Sequence, residues 1–182
     1  VLSFEVAPEG AGFTMEDLHP FVEGVLCTDV DFGYDGRMVI SDWGEGWQGN
    51  EEGRLYAVWD EKHIANGNVS EIFRTGFKER EEEELVKFLA HQDRRVRIRA
   101  QLELAERIAV DSLVWIVQNE SQLPRLHAMW ALAMIDRQGE YTMNQIAPLL
   151  GDSDPEIRAH AARILGESGQ KQYFEHVASL IE

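Results

Sequence analysis

Cysteine is almost missing from this chain of 182 residues, in which Cys27 stands alone. A single thiol excludes an internal disulfide, a four-cysteine zinc site and the CxxCH attachment of a covalent haem, each of which needs at least two. Long apolar runs are missing too, and no stretch approaches the ~20 residues that a membrane-spanning helix requires. The opening residues Val1, Leu2, Ser3, Phe4 and Glu5 lack the basic start and apolar run of a signal peptide. Positive charge is scarce: 17 Lys and Arg stand against 33 Asp and Glu, a formal charge of −16. Such a surface repels phosphate backbones, so nucleic acid is not an expected partner. What is plentiful is apolar side chain, at 44% of residues, enough to build a core and to exclude wholesale disorder. The first residue is Val rather than Met and falls in mid-pattern, as expected of a piece cut from a longer protein.

Acidity is uneven along the chain. Residues 1–79 hold 16 acidic and 5 basic residues, against 17 and 12 in residues 80–182. The first part also carries most of the glycine and shows short alternating runs at Val1–Ala7, Cys27–Phe32, Arg37–Ser41 and Arg54–Trp59, which predict strands. Asp35-Gly36 between Val30-Asp31-Phe32 and Met38-Val39-Ile40 predicts a hairpin turn, since both residues tolerate positive φ. From about residue 80 the apolar spacing lengthens to a helical period, and no glycine interrupts it until Gly139.

An internal repeat runs through the helical part. Val96-Arg97-Ile98-Arg99-Ala100 with Leu104 matches Ile157-Arg158-Ala159-His160-Ala161 with Leu165, and Leu126-His127-Ala128-Met129-Trp130 with Met134 fits between them less well. The period is therefore 30 to 31 residues. Each copy is preceded by another amphipathic run, at Glu83–His91, Asp111–Gln118 and Asn144–Leu150, so each repeat is a helix pair. Asp93 and Asp154 stand where N-caps belong, and Pro155 sits at a first helical position. Tyr173–Ile181 would open a fourth repeat.

Segments 93–100 and 152–162 resemble the HEAT repeat, the helix-hairpin unit of α-solenoids, in its short bacterial form. The middle copy departs from it, with Gln122-Leu123-Pro124 in place of the capping Asp and His127 in place of the Arg. Residues 28–43 and 53–58 resemble the closing blade of the six-bladed propeller in sorbosone-dehydrogenase-like proteins. In multidomain redox proteins of planctomycete and verrucomicrobial type such a propeller runs into HEAT repeats and then a cytochrome c domain. The resemblance implies an exported or periplasmic junction segment of such a parent, without a complete cofactor pocket, since one blade is not a propeller.

Several motifs invite chemistry. Asp29, Asp31 and Asp35 alternate as calcium ligands can, but Gly33 and Tyr34 occupy the fifth and sixth places, where an EF-hand loop needs an oxygen ligand and a glycine. The stretch from Asp42 to Glu52, with Trp43, Glu45, Trp47 and Glu51, combines carboxylates and indoles as sugar and cation sites do; Asp42, Trp43, Glu45 and Trp47 form a candidate ligand loop. No HExxH and no GxSxG occurs, so neither a helical zinc site nor a nucleophile elbow is expected. Arg94, Arg95, Arg97 and Arg99 form the one basic cluster, flanked by Glu81–Glu84, Glu103 and Glu106, with Arg99 and Glu103 spaced for a helix pair.

The expected architecture is α+β and mostly α. It comprises a small antiparallel β region (1–66), a linker with a short helix (67–79) and HEAT-like repeats (80–108, 111–138, 142–168 and a partial 170–182). The expected function is a protein-interaction or interdomain scaffold with no catalytic residue, metal or cofactor of its own; the alternative is part of a quinone-type sugar or alcohol oxidoreductase. Alignment at 30 to 31 residues puts Arg95, Arg125 and Glu156 in one row and Arg99, Met129 and His160 in the next, on helices that line the binding side of such arrays. Those six residues form the candidate protein-binding face. The rows Val96, Leu126, Ile157 and Ala100, Trp130, Ala161 are the expected core.

Overall fold

The change from alternating to helical spacing divides the molecule in the computed structural model, which describes residues 1–9, 12–44, 52–62 and 69–178. Two compact units result, Val1–Ser70 and Glu71–Glu182. The α+β class follows directly, with the strands gathered in the first unit and the helices in the second.

In the first unit, strand β1 (Leu2–Glu9) pairs antiparallel with β2 (Gly12–Pro20) as a separate two-stranded sheet. Strands β3 (Cys27–Phe32), β4 (Met38–Asp42) and β5 (Arg54–Val58) form an antiparallel meander with β4 in the centre. Among the described residues these strands make a hairpin and a three-stranded sheet, and the single four-stranded sheet that a propeller blade would have is not seen there. Strand β2 escapes alternation for a physical reason. Between the pairs Ser3↔His19 and Glu5↔Glu16 it carries one residue more than β1, and Asp17 there has φ 49°. That bulge breaks the period of two.

The β3–β4 turn also differs in detail from the Asp-Gly expectation. Only Gly36 has positive φ, at 84°. Gly36 N–H donates to the Gly33 carbonyl at 3.1 Å, and Gly33 N–H donates to the Arg37 carbonyl at 2.8 Å. The turn therefore spans Gly33–Gly36 and closes through one left-handed glycine rather than two left-handed residues. Val30, Ile40 and Tyr56 share a row across the meander, as do Phe32, Met38 and Val58. Among the described residues of this unit, Met38 and Ile40 are the apolar side chains buried from solvent.

The second unit begins with α1 (Val69–Thr75), whose first two residues precede the boundary, and continues as helix pairs. These are α2 (Glu82–Phe88) with α3 (Arg94–Glu106), and α4 (Val110–Asn119) with α5 (Gln122–Asp136). The third pair joins α6 (Met143–Ile146), extended by a 3₁₀ turn over Ala147–Gly151, to α7 (Pro155–Glu167). Pro148 cannot donate to the ladder and disfavours helix before it, which limits α6 to one turn. A 3₁₀ turn and α8 (Phe174–Ala178) follow.

Two of the second helices are capped as their sequences require. Asp93 accepts from Arg95 N–H at 2.8 Å and Asp154 from Glu156 N–H at 2.9 Å. Arg97 Nη1 donates to the His91 and Gln92 carbonyls, and Arg158 Nη1 repeats this on Asp152 and Ser153. Helix α5 has no side-chain cap from Ser121. Its start lies 28 residues after that of α3 and 33 before that of α7. The uniform 30 to 31 offset is therefore out of step here. Met129 is fully buried and Trp130 and Leu126 only half-buried, the reverse of what that offset places at 129 and 130. The buried face of α5 mixes Ala128, Ala131 and Ala133 with Met129, Leu132 and Ile135, while Ala100 and Ala161 are buried in its neighbours. An indole is too large for such a place.

Candidate interaction surface

The six residues predicted to form a binding face differ in how far they reach solvent. Arg95 turns back onto its own cap, with Nη2 2.6 Å from Asp93 Oδ2, and that guanidinium holds the Asp93 carboxyl below its usual range. Arg125 is an internal tie: Nε donates to the Val117 carbonyl at 2.7 Å, and the guanidinium pairs with Asp152, holding that carboxyl low. Both side chains of this pair are about 15% exposed or less. Met129 lies in the core, Arg99 and Glu156 are exposed, and Arg95 and His160 are alike half-buried, each with about a third of its side chain in solvent. Arg99 does not pair with Glu103; its guanidinium lies 5.8 Å from the Phe77 ring centroid. Glu103 instead meets Arg107 at 2.9 Å, and Arg107 spends its other donors on the carbonyls of Phe77, Lys78 and Arg80.

What the structure brings together is a ladder of polar contacts between neighbouring second helices. Arg97 Nε donates to His127 Nε2 at 3.1 Å, so His127 Nδ1 carries the proton and faces Gln101 Oε1 at 2.8 Å. Burial, and then the positive fields of Arg97 and Arg94, push the His127 pKa down to about 4. The imidazole is therefore a neutral strut at physiological pH. Further along, Trp130 Nε1 donates to His160 Nδ1 at 2.9 Å, the two rings meet edge to face, and Arg163 lies over the indole at 5.4 Å from its centroid. His160 Nε2 points toward Glu156 at 3.9 Å, and Arg163 pairs with Glu167 at 2.8 Å. Gln122 Nε2 donates to both carboxylate oxygens of Asp154, which lowers that carboxyl and lets the second repeat support the cap of the third.

Sequence reasoning missed the group formed by Trp130, His160 and Arg163 because it assigned Trp130 to the core. The available signal was the 30-residue separation of Trp130 and His160, the period itself.

The candidate ligand loop of the first unit is partly structural. The buried Asp42 carboxylate accepts from Leu26 N–H at 2.9 Å and Gly44 N–H at 3.1 Å, which ties the end of β4 to the chain before β3. Trp43 is exposed beside it. Glu45 and Trp47 lie outside the described residues. The carboxylates of Asp29, Asp31 and Asp35 each accept from a nearby backbone N–H. Among the described residues, no three His, Cys, Asp or Glu side chains converge as metal ligands would, and no helix is long and apolar enough to cross a membrane.

Comparison with known proteins adds one positive finding. Residues 110–182 match the family model for HEAT repeats, a span that opens on the first residue of α4 and takes in the second and third helix pairs. No curated protein and no solved structure matches the chain. The likeness of the N-terminal strands to a propeller blade gains no support from these comparisons.

Proposed function

We propose that this protein is a non-catalytic scaffold that binds another protein across the face of its second helices. The observation that carries this reading is the ladder joining α3, α5 and α7 within residues that largely match HEAT repeats, units whose stacked helices commonly serve protein interaction. The ladder fixes Trp130 and His160 in place before any partner arrives, so little side-chain entropy is lost on binding. Around them Glu156, Ala159 and Arg163 present exposed side chains, the two ionised ones of opposite charge. A half-buried indole ringed by charge is the composition of an interface hot spot. The narrower reading, an interdomain segment of a larger exported redox protein, rests on the likeness of residues 28–43 and 53–58 alone.

Site-specific photocrosslinking tests the proposal. A photoreactive residue at Ala159, on the exposed side of α7, should yield a discrete adduct in extracts of the source cells. The purified partner should then bind the unmodified chain saturably, with affinity reduced roughly tenfold by Arg163→Glu, the effect of losing a hot-spot side chain. An adduct whose partner binds the Arg163→Glu chain equally well rejects this face.

A further inference from the structure

A second surface lies on the first helices of the pairs, apart from the ladder. Helices α2 and α4 start at the same end, tied there by the hydrogen bond between Ser112 and Glu82. Between them runs an open groove of about 570 Å³, lined by Glu82, Glu83, Val86, Lys87, Asp111, Ser112, Trp115 and Glu120. Trp115 is 54% exposed, an unusual place for an indole without a partner. Four carboxylates and one ammonium line the groove. Elsewhere in this unit several carboxylates are neutralised, as in Arg80 with Glu84, Arg107 with Glu103 and Arg125 with Asp152, while others spread over the surface, among them Glu106 and Glu140, stand outside this groove. Among the described residues, Glu83, Asp111 and Glu120 have no such counter-ion, and Lys87, one turn from Glu83, is not within ion-pair distance of it.

We propose that this groove docks a basic, extended segment of a partner protein, with a lysine or arginine side chain over the Trp115 ring and its charge toward Glu83 and Asp111, while Glu120 lines the opposite end. The indole face attracts a cation electrostatically, and apolar Val86 accepts the methylene stem of the same side chain. The carboxylates replace part of the hydration that the cation gives up. From Asp111 to Glu120 the groove follows α4 for roughly 13 Å, which about four extended residues would span. The formal charge of −16 opposes a second copy of this chain as the occupant and favours a cationic one. This site is independent of the second-helix face, and each can fail without the other.

Fluorescence anisotropy of the full chain with a labelled octapeptide of alternating lysine and leucine tests the proposal, with the glutamate-leucine octapeptide as counterpart. Saturable binding of the lysine peptide alone is expected, weakened about tenfold by Trp115→Ala and by Asp111→Lys. Trp115→Phe, which keeps an aromatic face, should retain most of the binding, and melting curves establish that each variant is folded. If Trp115→Ala does not fold, Asp111→Lys and Trp115→Phe decide the question. Glu140→Lys, on the connection between α5 and α6, should change nothing. An equal loss in Glu140→Lys would reveal diffuse attraction to an acidic surface and overturn the proposal. So would full binding by Trp115→Ala, an absence of saturation, or self-association abolished by Trp115→Ala, which would assign the groove to a second copy.

Discussion

The two units solve the burial problem differently. Strands β1 and β2 carry Leu2, Phe4, Val6, Phe13, Met15 and Leu18, and all six are exposed, as are Phe32 and Leu55 in the meander. In the helical unit every helix from α2 to α7 contributes buried apolar side chains. A two-stranded and a three-stranded sheet have too little face to cover each other, whereas a helix pair buries one side within itself and another against the next pair. Stability in this molecule therefore resides in repetition, and the described strands bury little apolar surface among themselves.

The most direct way to break that comparison is to separate the units. Residues 71–182 alone should melt cooperatively, and residues 1–70 alone should not. Calorimetry of the two pieces decides it; a sharp transition in residues 1–70 near that of the whole chain would show a self-sufficient β domain. Within the whole chain the same contrast should appear at single residues. Leu132 is fully buried in α5, so Leu132→Ala should cost about 2–5 kcal/mol. Phe13, 71% exposed in β2, should tolerate Phe13→Ala within about 0.5 kcal/mol. Urea midpoints of the two variants test the pair.

A smaller effect sharpens the comparison through pH. His127 is depressed to about 4 in the folded protein, against an ordinary value near ~6.5 unfolded. Its contribution is complete above the unfolded value and disappears as pH falls toward the folded one, because in that window the unfolded chain binds the proton more readily. Stability should drop by about 1–3 kcal/mol between those two values, since solvent around the half-buried ring screens part of the shift, and His127→Gln should remove most of that slope. Asp93, Asp152 and Asp154 are lowered by Arg95, Arg125 and Gln122 respectively, so their contributions persist in that window and are lost only at more acid pH. An unchanged slope in His127→Gln, measured by denaturant titration at stepped pH, would show that another group carries the dependence.

The helical unit was the more legible in sequence, and the reason is local physics. Asp93, Asp154 and Pro155 act within one turn of their own backbone, so a cap or a first-turn proline is visible in a short string. The face of α5 was not legible, because its rotation depends on which residues fit against α3 and α7, and an alignment by constant offset cannot see that Ala128 fits where Trp130 does not. Arg125 looked like a surface charge for the same reason: its partner, Asp152, lies 27 residues away. In the strand unit the obstacle was the bulge at Asp17, a backbone event that erased the alternation by which β2 would have been found.

The smallest expected effect comes from another pair of backbone positions, one in each unit. Asp17 and Tyr141 both occupy the left-handed region, at φ 49° and 51°. Asp is among the residues that tolerate this conformation, so β2 already carries a suitable residue at its bulge. Tyr is not, and Tyr141 sits in the connection between α5 and α6 with 82% of its surface in solvent. Replacing it therefore forfeits almost no burial and relieves a strain of about 1 kcal/mol. Tyr141→Asn should raise stability by about 0.5–1 kcal/mol, while Asp17→Asn should leave it unchanged. Thermal midpoints measured side by side check both, and a loss in Tyr141→Asn would mean that the exposed ring makes contacts worth more than the strain it imposes.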